Sequence, residues 1–150
     1  MRRDTRGAVM LEALIAFTPI LLGFTFMCQL SDRFVHELIV GRAAAAAVRA
    51  AVVILPDDGA HYADPHNRTL HRFSGARKAE IERAAHAVLV ASPSFSNVTV
   101  SVSGRFRPDT LATARVDAEY RGLFAARMQR LNASVSLPYQ FAAYLYASPD

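Results

Sequence analysis

The sequence predicts an α+β fold in which one long N-terminal helix carries a small head of one amphipathic helix on a short antiparallel sheet. Between Ala8 and Leu30 the only ionisable residues are Glu12 and Cys28. Good helix formers then continue to Pro56, and later segments switch to the strict alternation that is typical of half-buried strands. At 150 residues, the chain has room for one small domain beside a membrane helix.

The first element is a candidate membrane span over residues 8–30. A helix of this length reaches about 34 Å, enough to cross a hydrocarbon core of about 30 Å. Basic residues precede it, and Asp32 and Arg33 follow it. By the positive-inside rule, the N-terminus stays in the cytoplasm and the chain after about residue 31 is exported. This predicts a single-pass protein of the bacterial inner membrane, in contact with the lipid bilayer.

The same helix is predicted to continue outside the membrane over residues 31–56. Residues recur there at three- and four-residue steps, and the run 43–47 is a smooth alanine surface that lets another backbone approach closely. Pro56 ends the helix. Pro19 lies in the membrane half and predicts a kink or local melting there, because its ring removes a backbone donor. The recurring set is Leu38, Gly41, Arg42, Ala45, Val48, Arg49 and Val52.

A polar loop is predicted over residues 57–75. It contains His61, His66 and His71 together with several aspartates, and imidazole and carboxylate groups suit several transition metals. The spacing matches no compact ligand motif, so a solvated linker is the preferred interpretation. No metal and no cofactor is expected.

The head is predicted over residues 76–150 and begins with an amphipathic helix. Ser74 can cap this helix, Ser92 and Pro93 end it, and its apolar stripe should pack on a sheet. The stripe consists of Ile81, Ala84, Ala85, Val88 and Leu89. The side chains expected to face outward are Arg77, Lys78, Glu80 and Glu82.

Three strands should follow, in an order that the pattern leaves open. Valines alternate with polar residues over 98–103, and a second alternation runs over 114–121. A third, weaker strand is predicted over 133–137, and a short helix or packed loop before it would include Leu123 and Leu131. The apolar face of the sheet should be buried on the second helix or on the exported half of the first. The aromatic tail over 139–146 could form a last strand or a surface for a partner subunit, and core packing is the preferred interpretation.

Composition excludes several classes of function. Cys28 is the only cysteine, so the chain forms no intramolecular disulfide. Residues 1–7 hold three arginines and one aspartate; without them the chain has 14 basic and 12 acidic residues, and the formal charge falls from +4 to +2. That charge gives little reason to expect nucleic-acid binding. No Gly-x-Ser-x-Gly elbow or phosphate-binding glycine loop is present, so an enzyme is not expected.

The N-terminus resembles the class III leader of type IV pilins and pseudopilins. It has a short basic leader with Arg2, Arg3 and Arg6, Gly7 before an apolar run, and Glu12 as the fifth residue after that glycine. Within that group, residues 6–14, Pro19 and the small-residue helix over 41–53 are most similar to the TadE-like pseudopilins of the tight adherence (Flp, type IVc) system. The resemblance covers roughly the first 56 residues. Ala13 departs from it, because Flp-type leaders often have tyrosine after the glutamate.

This resemblance implies that prepilin peptidase cuts between Gly7 and Ala8, and that Glu12 compensates the N-terminal charge of a neighbouring subunit. The implied partners are the peptidase, other pilins or pseudopilins through the N-terminal helix, and the inner-membrane assembly platform. The implied role is that of a minor subunit in pilus assembly for adhesion or secretion. The alternatives are an uncleaved, membrane-anchored binding module, an ordinary secretory signal peptide, and an anchored enzyme that uses the three histidines.

Overall fold

The computed structural model describes residues 6–57, 61, 75–90, 92, 94–103, 110–123 and 127–139. Two helices, α1 (Arg6–Ile54) and α2 (Gly75–Leu89), precede three strands, β1 (Phe95–Ser103), β2 (Leu111–Tyr120) and β3 (Gln129–Pro138). The strands form one antiparallel sheet in the order β1-β2-β3. The predicted α+β layout, with its long N-terminal helix and small head, is therefore confirmed.

Helix α1 has 49 residues and is continuous, so it is about 73 Å long. It remains helical through Pro19, which rules out the predicted local melting; the bend predicted there stays a prediction. The Thr18 hydroxyl donates to the Leu14 carbonyl at 2.8 Å, and Thr25 donates to Leu21 in the same way. These bonds satisfy the two polar side chains inside an apolar helix.

The head is built on the second half of α1. The alanines at 43, 44, 47 and 51 are fully buried, and they let the helix lie close to the small residues of β2 (Ala112, Ala114 and Ala118). The alanine run predicted that another backbone would lie close to this helix, and that backbone belongs to the head of the same chain. The sheet packs on α1 mainly through β2 and β3.

Helix α2 packs mainly on α1 and touches the sheet only slightly, at β1, so the expectation that its apolar stripe packs on the sheet is corrected. Ile81, Ala85 and Leu89 form its buried stripe, with Val88 half-buried, as the spacing predicted. Ser74, its predicted cap, lies outside the described residues. Arg77 is a correction, because the sequence predicted an outward side chain and the structure buries it completely.

The strands are longer than the alternation predicted. β3 begins at Gln129 instead of Ala133, so Leu131 belongs to this strand and is buried in the core, not in a separate helix or loop. β2 and β3 pair without a slip from Leu111↔Pro138 to Tyr120↔Gln129. β1 carries an irregularity between Ser96 and Thr99, where Asn97 has a positive φ of 49°. Asparagine tolerates this left-handed backbone better than most residues.

Tyr139 is the last residue that the structure describes. Its side chain is buried, its backbone amide donates to the Thr110 carbonyl at 3.3 Å, and burial raises the pKa of its phenol. The core packing expected of the aromatic tail is confirmed for this residue. The rest of the tail, 140–150, lies outside the described residues.

Candidate functional site

The candidate functional site is the N-terminal half of α1, where the residues expected to direct processing and assembly lie. The helix from Val9 to Ile54 is long and apolar enough to cross a membrane, and its most apolar stretch has a mean hydropathy of 2.0 with none of it buried in the protein. The large side chains between Val9 and Met27 are at least half exposed. Such a surface is stable in lipid and costly in water, so a membrane anchor accounts for it.

The residues of the expected cleavage site lie at the start of this helix. Gly7 is exposed, and apart from its chain neighbours and the adjacent helix backbone, no atom lies within 4 Å of the position that a Cβ there would take. Arg6, Gly7 and Ala8 belong to the first turn of α1, where amides lack helical partners and the backbone opens easily. Arg2 and Arg3 lie outside the described residues.

Glu12 is the unusual side chain of the apolar half. It is exposed, and no hydrogen-bond or ion-pair partner contacts it among the described residues. The other carboxylates that the structure describes all have partners, for example Glu37 with Arg33 at 2.9 Å and Glu82 with Lys78 at 3.6 Å. A carboxylate in a membrane helix costs a few kcal/mol on insertion scales, and such residues usually carry function.

A polar and aromatic cluster joins the head to α1 just beyond the candidate span. The His36 ring stacks on Tyr120, with centroids 4.5 Å apart, and meets Phe95 edge-on at 5.3 Å. His36 Nδ1 lies 2.7 Å from the Asp32 carbonyl oxygen and 3.4 Å from the Asp32 carboxylate. Since a carbonyl oxygen only accepts, Nδ1 carries a proton. The other Asp32 carboxylate oxygen accepts a hydrogen bond from the Leu123 amide at 3.1 Å.

This cluster fixes where the sheet sits on the helix. Asp32 and His36 are one turn apart on α1, whereas Tyr120 ends β2 and Phe95 begins β1. Burial raises the pKa of Tyr120, and the Asp32 charge raises it further. The Tyr120 hydroxyl donates to Gln129 at 3.1 Å, which ties in β3. The sequence did not predict this role. Its one local signal is that His36 follows Asp32 by four residues, which places both on the same side of a helix.

The C-terminal end of α1 is held by Arg77. Its guanidinium donates to the Leu55 carbonyl at 2.8 Å and to the Asp57 carbonyl at 2.7 Å. Both carbonyls lie directly after α1, and the negative end of its dipole attracts a cation. Arg77 therefore caps α1 from α2.

The outward face of the sheet is polar. Glu119 accepts hydrogen bonds from Asn97 at 2.7 Å and from Arg130 at 2.9 Å, and these two contacts lower the pKa of its carboxyl group. Arg115 and Asp117 form a bidentate pair beside them. The side chains line an open basin of about 500 Å³. Because each of these charges is paired within the protein, the basin is consistent with a solvated face.

The histidines expected at a conceivable metal site are only partly described. His61 is exposed and lies 3.1 Å from the Asp57 carboxylate. His66 and His71 lie outside the described residues. Within the described part of the chain, no group of three or more histidine, cysteine or acidic side chains could hold a metal ion.

Comparison with protein-family models, with curated proteins and with solved structures finds no match to this chain. The functional argument therefore rests on the residues and their geometry.

Proposed function

We propose that this chain is a pseudopilin, a minor pilin-like subunit that prepilin peptidase cuts between Gly7 and Ala8. The observation that carries the proposal is Glu12, a carboxylate that has no partner among the described residues and lies in an exposed apolar helix, as the fifth residue after the expected cut. Residues 8–30 store the subunit in the inner membrane, with the N-terminus cytoplasmic and the head exported. The chain performs no catalysis and acts by helix packing and charge compensation.

Assembly supplies the partner that Glu12 lacks. After the cut, Ala8 carries a new α-amino group, and Glu12 of one subunit compensates that charge on a neighbour when the helices enter a bundle. A buried carboxylate is stable only when it is paired, so this contact favours the assembled state over the stored one. The resemblance of residues 6–14 to TadE-like proteins points to a tight adherence (type IVc) pilus or a related apparatus.

The processing step is tested by the intact mass of the membrane-purified protein, expressed with and without prepilin peptidase. We expect a loss of residues 1–7 only when the peptidase is present, and no loss in Gly7→Val. An uncut chain in both strains would contradict the proposal. The function would then be that of an anchored binding module, with the polar outer face of the sheet as its surface.

The role of Glu12 is tested by Glu12→Ala, which should leave membrane insertion and processing intact and reduce the number of pili at least about tenfold, because a buried charge loses its partner. Glu37→Ala is the matched control, since Glu37 lies on the same helix beyond the membrane span and pairs with Arg33. Normal pilus counts in Glu12→Ala would count against charge compensation.

A further inference from the structure

The exported half of α1 has a second surface, on the side away from the head. Its buried side faces the head and includes Val40, Ala44, Ala47 and Ala51. On the opposite side, exposed residues follow one another at steps of three, four or seven positions, which places them on one face of the helix. We call it the arginine stripe, and it consists of Phe34, Val35, Leu38, Arg42, Arg49 and Val53.

Large apolar side chains make up most of the arginine stripe. Leu38 is 67% exposed and Val53 is 69% exposed, although both lie on the element that organises the core. The stripe is a direct continuation of the membrane half, because α1 is one uninterrupted helix. An apolar row of this length beside a well-packed core is typical of a surface that another element covers.

Arg42 and Arg49 lie in the middle of the stripe, two turns and about 10 Å apart. Neither forms an ion pair with any carboxylate in the described part of the chain. Most of the other basic side chains described in the head and on α1 are satisfied there: Arg33, Lys78, Arg83, Arg115 and Arg130 each pair with a carboxylate, and Arg77 binds carbonyls. The stripe therefore offers two positive charges at helical spacing.

Lipid headgroups do not explain these charges. If the span ends near Leu30, Arg42 lies about 18 Å and Arg49 about 28 Å farther along the helix axis. The headgroup region extends only about 5–8 Å beyond the hydrocarbon core on each side. Both guanidinium groups are therefore above the membrane surface, where a protein partner can reach them.

A second copy of this chain is also a poor match. Two parallel copies packed through the same face would bring arginines together, and like charges repel. No carboxylate belongs to the stripe, and the described carboxylates of the head are already engaged, as Glu119 is with Arg130. Among the described residues of the head, no carboxylate is left to pair with the stripe, so a helix of a different chain is the occupant whose charge fits it.

We propose that the arginine stripe docks an α-helix of a different subunit, whose contacting face combines apolar side chains with two carboxylates about two turns apart. This inference rests on the proposed function, in which α1 enters a bundle with other pilin-like chains, and it identifies the chemistry of one neighbour. Arginine binds carboxylates in a bidentate manner, and the flanking Leu38 and Val53 exclude water from the contact. The same charges reject copies of this chain, which provides specificity.

The test uses the full chain in its native membrane, with the photo-crosslinking amino acid p-benzoylphenylalanine at Leu38. The control carries the same probe at Val90, which is exposed at the end of α2. We expect an adduct only from position 38, and mass spectrometry should identify its partner segment as a helix with acidic residues about seven positions apart. Arg42→Glu with Arg49→Glu should lower the yield at least tenfold, whereas Arg42→Lys with Arg49→Lys should keep most of it.

A matched control is available on the head. Arg121 and Arg127 are also exposed, so Arg121→Glu with Arg127→Glu makes the same change of net charge away from the stripe and should leave the yield unchanged. An adduct of the chain with itself, a crosslink to residues 140–150 of the same chain, or a yield that charge reversal does not lower would overturn the inference.

The mass of the N-terminus, measured on the same samples, separates this inference from the proposed function. Normal loss of residues 1–7 without a charge-dependent adduct overturns the arginine stripe as a docking surface and leaves the pseudopilin role standing. An uncut chain that still forms the charge-dependent adduct supports the stripe and overturns the processing route.

Discussion

At the residue scale, two side chains connect parts of the chain that are distant in sequence. His36 stacks on Tyr120 of β2 and meets Phe95 of β1 edge-on, and Arg77 binds the carbonyls of Leu55 and Asp57, directly after the C-terminal end of α1. Both contacts are directional, because a ring stack and a guanidinium fork each have a preferred geometry. Together they define the position of α1 against the head at two points.

Arg77→Ala should lower the free energy of unfolding of the head by about 2–4 kcal/mol, because two carbonyl oxygens lose a charged donor and a buried volume empties. Urea unfolding in detergent, followed by the near-ultraviolet circular dichroism of the tyrosines, measures this. Arg83→Ala on the same helix is the control and should change stability by less than about 0.5 kcal/mol, since its pair with Glu80 is exposed. Equal effects of the two substitutions would show that the cap contributes nothing.

At the scale of elements, the contact between α1 and the sheet depends on small side chains. Ala44 and Ala47 of the helix and Ala112 and Ala114 of β2 are fully buried, so the two backbones lie close together. A tightly packed interface of this kind has no spare volume for larger groups. The alanine run therefore acts in packing the head, in addition to giving good helix propensity.

Ala47→Leu should lower the free energy of unfolding by about 1–3 kcal/mol, because Ala47 is fully buried and added methylenes force the helix away from the elements packed on it. Ala45→Leu is the matched control on the less buried side of the same helix, and we expect it to stay within about 0.5 kcal/mol. The same urea titration compares both variants with the parent. If Ala45→Leu lowered stability as much as Ala47→Leu, the effect would not depend on burial of the substituted position, and the packing argument would be wrong.

At the scale of the whole molecule, α1 serves two environments. Its first half is exposed along its length and suits lipid, whereas its second half is covered on one side by the sheet and by α2. The change occurs at Asp32 and His36, directly after the candidate span. The head is therefore anchored close to the membrane surface in the proposed arrangement.

This arrangement predicts the topology of the chain. In a Cys28→Ala background and without prepilin peptidase, a maleimide that does not cross membranes should label Val90→Cys in spheroplasts and label Thr5→Cys only after lysis, because the arginines keep the N-terminus inside. Gel-shift of the labelled protein measures both. The reverse pattern would place the head in the cytoplasm and rule out the proposed processing and assembly.

The sequence alone determined the local structure. The uncharged run after Gly7, the two apolar periodicities and the alternating valines predicted the long helix, α2 and three strands, because each signal repeats within a few residues. The same reading located Glu12 as an exception within an apolar helix. The pattern placed the start of β3 too late, at Ala133, whereas the strand begins at Gln129 and includes Leu131. The error arose because the residues before Ala133 do not alternate clearly between apolar and polar, so the pattern does not distinguish turn from strand there.

The tertiary structure alone decided which faces meet. The second half of α1 is apolar on two sides, so its sequence does not reveal that Ala44 and Ala47 are buried in the head while Leu38 and Val53 remain exposed. The burial of Arg77 depends on Leu55 and Asp57, and the stack of His36 depends on Tyr120. These contacts join residues far apart in the chain, and packing energy, which no local pattern encodes, selects them.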